Sequence, residues 1–420
     1  MQPLRGIKDI LPHEIKIWQE IYHIANKILS LNNYSEIRTP IIESTNLFTR
    51  SIGNDTDIVN KEMYSFSDQG NRNITLRPEG TASIARAFIS NQMYVNSKIH
   101  KLWYLGPMFR YERPQQGRQR QFHQLGIELI GCPHPIADVE VIRLAIQILK
   151  AINYREYQLE INSIGNLEER QNYCKALINY LIPYKSELDE DSQKRLINNP
   201  LRILDSKNSR TQEILLKAPK LKSHLKSQSI QHFNKVCKQL KNLNIPYYIN
   251  ENLVRGLDYY NYTAFEIKTK LLNNQSTICG GGRYDTLIEQ LGGPHTPSVG
   301  WAIGLERLIL LMDHDLKSNL NNKVIYLALK GDNAQIKIWE IIKILEKQQL
   351  HFEIDISNSN LNKQLKRANI LGSQICFIFG DDEINNNYIT IKWLYTGKQI
   401  TINIDKLEEY LKYIKKYIKI

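Results

Sequence analysis

HKLWYLGPMFRYER (100–113) and QFHQLGIELIG (121–131) are the stretches whose reading decides how this chain folds. Both read as strands, joined by the polar loop PQQGRQR (114–120). Side chains alternate faces along a strand. Arg110 and Glu112 then share one face, while Phe109 and Tyr111 take the other. On the return strand Phe122, Gln124 and Glu128 share a face, with Leu125, Ile127 and Leu129 opposite. The second face is apolar and must be core. The first carries an Arg, two carboxylates, an amide and a ring, and unpaired charges inside a core cost too much. It is either a solvated surface or the floor of a ligand pocket.

Ahead of this pair, Ile17, Ile21, Ile24, Ile28 and Leu31 recur at helical spacing and predict a helix over 14–31. EIRTPIIE (36–43) reads as a strand whose Pro40 confines it to an edge or boundary. Residues 137–152 read as a helix, and 167–240 as a charged, mostly helical stretch. Strand signals return at YTAFEIKT (262–269) and STICGGG (276–282). SVGWAIG (298–304) reads as a buried strand that runs into the apolar helix LERLILLM (305–312). A polar linker is expected near 313–323. Beyond it VIYLALK, AQIKIWEIIKILEK, FEIDIS, LNKQLKRANI and QICFIFG alternate as strand and helix, which predicts a small, largely parallel sheet. YITIKWLYTG, QITINI and a final helix complete it, and KYIKKYIKI (412–420) reads as that helix with a solvated Lys face.

The 420 residues suggest two to three domains, and 42% hydrophobic with 23% charged residues excludes collagen-like, disulfide-scaffold and disordered classes. Lys plus Arg is 55 against 43 Asp plus Glu, a net +12 that favours a polyanionic partner, nucleic acid first. Cysteines 132, 174, 237, 279 and 376 form no CxxC clip, which argues against a zinc ribbon or disulfide framework and for a reducing compartment. No apolar run approaches the ~18 residues of a membrane span. The opening MQPLRGIKDILPHE has no basic region followed by an apolar one and carries acids early, so no secretory or transit segment is expected.

Four further segments carry chemistry. In LRPEGTA (76–82), Glu79 precedes a Gly and a helix start, and Thr81 reads as its cap. LVRGLDYY (253–260) sets Arg255, Asp258, Tyr259 and Tyr260 close together, either an anion contact beside a hydrogen-bonding wall or a loop ion pair with packed rings. CGGGRYD (279–285) is not a Walker loop, and the chain has no GxGxxG, but three glycines let a backbone or ligand approach closely. In GWAIGLERL (300–308), Gly304 marks the strand-to-helix joint. Arg307 reaches a phosphate or a base if the strand lies under a nucleotide.

Together these segments resemble the class II aminoacyl-tRNA synthetases, and within them the histidine–tRNA ligases, over essentially the whole chain. PLRGIKDILP resembles the family's N-terminus, RTPIIE its motif 1, GPMFRYERPQQGRQRQFHQLGIELIG motif 2 and GWAIGLERL motif 3. LRPEGTA, LVRGLDYY and GGRYD point to the histidine branch, and NPLRILDSKN (199–208) to its insertion. The resemblance implies an α+β catalytic domain (1–320) whose antiparallel sheet is flanked by helices, with a helical insertion at about 170–225. It also implies a C-terminal α/β anticodon-binding domain (321–420) with a mixed five-stranded sheet. The implied substrates are L-histidine, ATP with its accompanying Mg2+, and tRNA(His). No protein-bound metal site and no membrane contact are implied. A homodimer through motif 1 is expected, in a bacterial cytoplasm or a plastid stroma.

By position, Arg110 would hold the ATP α-phosphate and the substrate carboxylate, Glu112 the adenine amino group, and Phe122 the adenine face. Arg118 would reach the terminal phosphate, and Arg307 would lie on the opposite side of the nucleotide. Glu79, Thr81 and Gln124 would bind the histidine ammonium and carboxylate, while Glu128, Tyr259 and Tyr260 read the imidazole with Tyr284 nearby. Arg255 would stand against the α-phosphate where other class II members place a metal ion. Gln115, Gln116 and Arg120 at the motif 2 loop tip match less closely. Two other readings are a non-catalytic histidine-sensing regulatory subunit and a sister ligase for another amino acid. The anticodon domain and the Arg-bearing LVRGLDYY argue against the first, and LVRGLDYY with Glu128 against the second.

Overall fold

The computed structural model describes residues 1–53, 56, 58–115, 117–271, 277–312 and 324–417. The expected linker at 313–323 and Gln116 lie outside them. The chain divides into two compact units, 1–316 and 317–420.

The strands of the first unit are β1 (Ser35–Glu36), β2 (Ile42–Ser44), β3 (Tyr64–Ser67), β4 (Asn73–Leu76), β5 (His100–Phe109), β6 (Gln121–Ile130), β7 (Tyr157–Ser163), β8 (Tyr248–Ile249), β9 (Asn261–Thr269), β10 (Thr277–Arg283) and β11 (Ser298–Gly304). Eight form one sheet in the order β1-β5-β6-β11-β10-β9-β7-β8. Its edge strands β1 and β8 pair in parallel and the inner six are antiparallel. β2, β4 and β3 make a separate three-stranded sheet. EIRTPIIE is therefore not one strand. It serves both sheets: β1 and β2 flank a stretch outside either strand, tied at its ends where Ile37 N donates to Trp103 O and Ile41 O accepts from Arg77 N, and holding Pro40, which cannot donate to a ladder.

One face of the large sheet is a core. Trp103, Leu125, Ile127, Phe265, Ile267, Trp301 and Ile303 point into it, beneath the helices Pro12–Leu31, Pro135–Ala151 and Ser227–Asn242. The first helix turns Trp18, Ile21, Ala25, Ile28 and Leu29 inward at three- and four-residue spacing. The buried Trp301 indole donates to Val141 O at 2.7 Å, so this bulky core residue keeps its polar atom paired.

The segment 167–224 folds on a second core. Its helices start on side-chain caps that the sequence supplies in turn. Asn166 accepts from Glu169 N (2.9 Å), Asp189 from Ser192 N (3.0 Å) and Asn208 from Thr211 N (3.0 Å). Tyr173, Leu177, Leu196 and Ile203 join Phe88, Tyr104 and Met108 in that core.

The second unit holds β12 (Ile325–Lys330), β13 (Phe352–Ile354), β14 (Ile375–Gly380), β15 (Tyr388–Trp393) and β16 (Gln399–Asn403), ordered β13-β12-β14-β15-β16. The first three are parallel, and β15 and β16 add antiparallel, so the sheet is mixed and only half of its pairings are parallel. The helices Asp332–Lys347 and Leu407–Tyr417 pack Ile338, Ile341, Leu345, Leu411 and Ile414 against Leu327, Phe377 and Ile389.

One buried ion pair pins the GGRYD segment. The Arg283 guanidinium is fully buried and donates to Asp138 Oδ2 (2.5 Å), Cys132 O (2.9 Å) and Asp285 Oδ1 (3.1 Å). Burial works against the Asp138 charge, but Arg283 and His232 outweigh it and hold the carboxyl down at about 2. Asp138→Ala strands a buried cation. It is expected to cost about 3–5 kcal/mol of unfolding free energy, read as a lower denaturant midpoint at unchanged slope.

Candidate active site

The other face of the sheet carries the pocket, and the register explains its shape. Gln124, Gly126 and Glu128 of β6 lie opposite Gly304, Ala302 and Gly300 of β11, and Ala302 and Gly300 lie opposite Gly280 and Gly282 of β10. A floor of such small residues leaves a hollow in the middle of the sheet. Several of these glycines leave no room for a side chain. A Cβ at Gly300 would fall 1.8 Å from Glu128 Oε2, and one at Gly280 2.3 Å from an Arg255 terminal nitrogen. Around this floor the fold gathers Glu79, Thr81, Arg110, Glu112, Arg118, Phe122, Gln124, Arg255, Tyr259, Tyr260 and Arg307. Glu128 and Tyr284, both buried, sit behind Thr81 and complete the wall. The polar face of β6 is thus a pocket floor and not a wetted surface.

Glu79 caps the helix Thr81–Ser90. Its two oxygens accept from Thr81 N and Ala82 N, each at 2.7 Å. The expected cap at Thr81 is displaced, because a carboxylate already occupies the helix N-terminus, where the dipole favours a negative charge. The Thr81 hydroxyl is free to donate to Glu128 Oε1 at 2.7 Å, and the Tyr284 hydroxyl donates to Glu128 Oε2. Burial pushes the Glu128 carboxyl up to about 8, assisted by nearby Glu79 and only partly offset by the two hydroxyl bonds. Burial also raises Glu79, while the amides of Ala82 and Thr81 pull it back. Tyr260 is pushed by burial to about 12, and Tyr259 and Tyr284 rise well above the ordinary phenol, so all three remain O–H donors.

The cations are equally constrained. Arg110 and Glu112 lie just beyond the end of β5, not on the strand face that alternation assigns them. Arg110 is aimed instead by its own bond, Nε donating to Pro78 O at 2.9 Å, and its guanidinium lies 5.3 Å over the Phe122 ring. Arg118 folds onto Glu112 at 3.1 Å. Arg255 pairs with Glu266, which also accepts from the Thr277 hydroxyl at 3.0 Å, and its guanidinium lies 5.6 Å over the Tyr260 ring. Arg307 donates to Gly117 O (3.1 Å) and Thr277 O (2.8 Å).

Sequence reasoning passed over Glu266, the partner of Arg255, because it reads as one charge on an ordinary strand. It also passed over Arg77, which is buried and donates to Pro107 O (2.9 Å) and Thr39 O (2.9 Å), tying the Pro40 segment to the end of β5. Its acceptors are backbone carbonyls, which no motif announces. Two buried polar atoms in the pocket wall, Gln124 Oε1 and Arg255 Nε, have no partner within the described residues. An acceptor and a cationic donor left open in this way suit a ligand with both an ammonium and an anion. Among the described residues, no three His, Cys, Asp or Glu side chains converge on a point that could hold a metal ion.

A family model for histidyl-tRNA synthetase matches residues 6–308, and one for an anticodon binding domain matches 323–414. The chloroplastic histidine–tRNA ligase of Gracilaria tenuistipitata var. liui is 61% identical over 99% of this chain and 96% of its own length. The histidine–tRNA ligase of a Cyanothece species is 52% identical over 95% and 93%. Among solved structures, apo histidyl-tRNA synthetase of S. aureus superposes with a TM-score of 0.82 at 36% identity, covering 98% of this chain and 99% of that one.

The raised Glu128 carboxyl leaves a signature in stability. Between its unfolded value near 4.3 and about 8, the folded state binds the extra proton, so this contribution is full at low pH and is lost as pH rises through 8. Glu128→Gln removes it. The melting temperature of this variant relative to the unsubstituted protein is expected to climb from pH 5 to pH 8.5. A difference independent of pH contradicts the burial account.

Proposed function

The chain belongs to the histidyl-tRNA synthetase family, and on that premise we propose that its pocket activates L-histidine with ATP and passes it to the 3′ end of tRNA(His), releasing AMP and diphosphate. The observation that carries this reading is the pairing, in one pocket, of the buried Glu79, linked through Thr81 to the buried Glu128 behind it, with two guanidiniums, Arg110 and Arg255. Such a site suits a zwitterion whose side chain also needs a hydrogen-bonding wall, placed beside a triphosphate.

In the first step a histidine carboxylate oxygen attacks the α-phosphorus. The new O–P bond forms as the bond to the β-phosphate oxygen breaks, and diphosphate leaves. Two anions must meet, and charge grows on the α-phosphoryl oxygens. Arg110 and Arg255 are fixed beforehand, by Pro78 and Glu266, so they offset that charge without reorganising. Phe122 is the face for adenine, Glu112 takes its amino group, and Arg307 covers the other side. Arg118 swings from Glu112 to the terminal phosphate. Mg2+ accompanying the triphosphate would neutralise part of its charge. In the second step a ribose hydroxyl of the tRNA end attacks the carbonyl of the mixed anhydride, and AMP departs. Positioning supplies much of the rate, and no covalent nucleophile is needed.

Selection rests on the imidazole. Glu79, Thr81 and Gln124 hold the ammonium. One ring nitrogen meets Glu128 and the other a tyrosine hydroxyl, from Tyr259 or Tyr260, with Tyr284 holding the carboxyl in place. At neutral pH the free ring is mostly uncharged and the Glu128 carboxyl, at about 8, is mostly protonated. The bound pair shares one proton, and no isolated charge is buried. An analogue without ring nitrogens leaves those groups unpaired, a penalty that can reach roughly 10⁴-fold in discrimination.

Net charge +12 and the anticodon-binding match at 323–414 support tRNA as the macromolecular substrate. Ile41 and Ile42, exposed next to Pro40, and Phe66, exposed on the same small sheet, support a second copy of the chain as the partner there. Likeness to a chloroplastic relative and a cyanobacterial one supports a plastid stroma or bacterial cytoplasm.

The decisive measurement is exchange of labelled pyrophosphate into ATP, expected with histidine and not with glycine, proline or threonine. Equal exchange with any of those overturns the assignment. Arg255→Ala is expected to slow adenylate formation by on the order of 10²-fold while the protein remains folded. Turnover near that of the unsubstituted enzyme removes Arg255 from the reaction.

A further inference from the structure

β11 ends before β6 does. The ladder between them runs from Ser298 opposite Ile130 to Gly304 opposite Gln124, and the chain then turns into the helix Leu305–Leu311. β6 continues to Gln121, so 121–123 extend past the end of their neighbour. Unpaired amides at such an edge need another acceptor. Glu306 provides it. Its carboxylate accepts the His123 backbone N–H at 3.0 and 3.1 Å, and His123 Nδ1 lies 3.1 Å from the same group. The His123 ring, turned to the core side, packs edge-on against Trp18 with centroids 4.7 Å apart. This clamp sits between two pocket groups. Phe122 precedes the clamped residue, and Arg307 follows the clamping one.

We propose that Glu306 is a positioning residue for the nucleotide: it stands in for the missing strand at the end of β6 and so sets the gap between the Phe122 ring and the Arg307 guanidinium. The inference rests on reading that gap as the base-binding slot. Glu306 itself lines the pocket, so a direct contact to ATP or its metal ion is the competing account; the engagement of both its oxygens by His123 favours the tether.

The test uses the full chain and three variants, with the melting temperature of each recorded. Glu306→Leu keeps the volume and removes the acceptor, Glu306→Gln keeps one acceptor, and His123→Ala keeps the backbone donor. In pyrophosphate exchange Glu306→Leu is expected to raise KM for ATP about tenfold or more, the loss of one charged hydrogen bond, with KM for histidine within about twofold. Glu306→Gln is expected to recover most of that, and His123→Ala to stay within about threefold. Parallel rises in both KM values indicate general loosening and overturn the proposal, as does an unchanged KM for ATP in folded Glu306→Leu. Full recovery of that variant by excess Mg2+ identifies a metal contact and overturns it too. If Glu306→Leu does not fold, Glu306→Ser, too short to reach the amide, reads the same loss. Calorimetric binding of ATP alone tests the clamp independently of which amino acid the enzyme selects.

Discussion

Two carboxylates buried away from water are the constraint around which this pocket is built. An isolated buried charge is prohibitively costly, so each must be neutralised by protonation or supplied with donors. Glu79 takes its donors from the first amides of a helix. Glu128 takes hydroxyls from Thr81 and Tyr284 and holds a proton at neutral pH. Nearby architecture follows. Gly300 must lack a side chain because Glu128 fills that space. Tyr284 must stay in place, and the neighbouring Arg283 is locked to Asp138 by a fully buried ion pair. The GGRYD motif is thus an anchor and a clearance, with Arg283 holding the segment and Tyr284 holding Glu128.

The guanidiniums obey the same logic with the sign reversed. A free Arg side chain has several rotatable bonds and would lose much of its advantage in being ordered at the moment of reaction. Arg110 and Arg307 are tied to backbone carbonyls and Arg255 to Glu266, so their ordering is completed during folding. Arg118, half-exposed, rests on Glu112 at 3.1 Å, a partner the nucleotide is expected to claim; Arg110 lies 3.8 Å from the same carboxylate but is also held by Pro78 O. The pocket therefore pairs a rigid centre with an adaptable outer cation, an arrangement suited to a substrate whose triphosphate tail must enter and whose diphosphate must leave.

Much of the fold was legible in the sequence because its strongest signals are periodic. The alternation in β6 assigned Leu125, Ile127 and Leu129 to the core and Phe122 and Gln124 to the pocket, with Glu128 on the same face behind Thr81. The helical spacing of Ile17 to Leu31 found the first helix, and the strand–helix alternation after Val324 found the parallel half of the small sheet. Boundaries were harder. EIRTPIIE is β-prone throughout, yet it is divided between two sheets, and Arg110 lies past the strand that its periodicity extends.

The sequence by itself determined the residue types that reach the site: motif segments carry Glu79, Arg110, Glu128, Arg255 and Arg307, with a glycine, proline or aromatic residue directly beside Glu79, Arg110 and Arg255. Tertiary structure alone decided the partners. Glu266 for Arg255, Asp138 for Arg283, Glu306 for His123 and the backbone carbonyls for Arg77 come together only when strands, helices and loops are packed against one another. The physical reason is range. Periodicity and turn chemistry act over a few residues and are written locally, whereas a hydrogen bond or ion pair needs atoms within about 3 Å, a distance that the packed sheet sets and that no local pattern encodes.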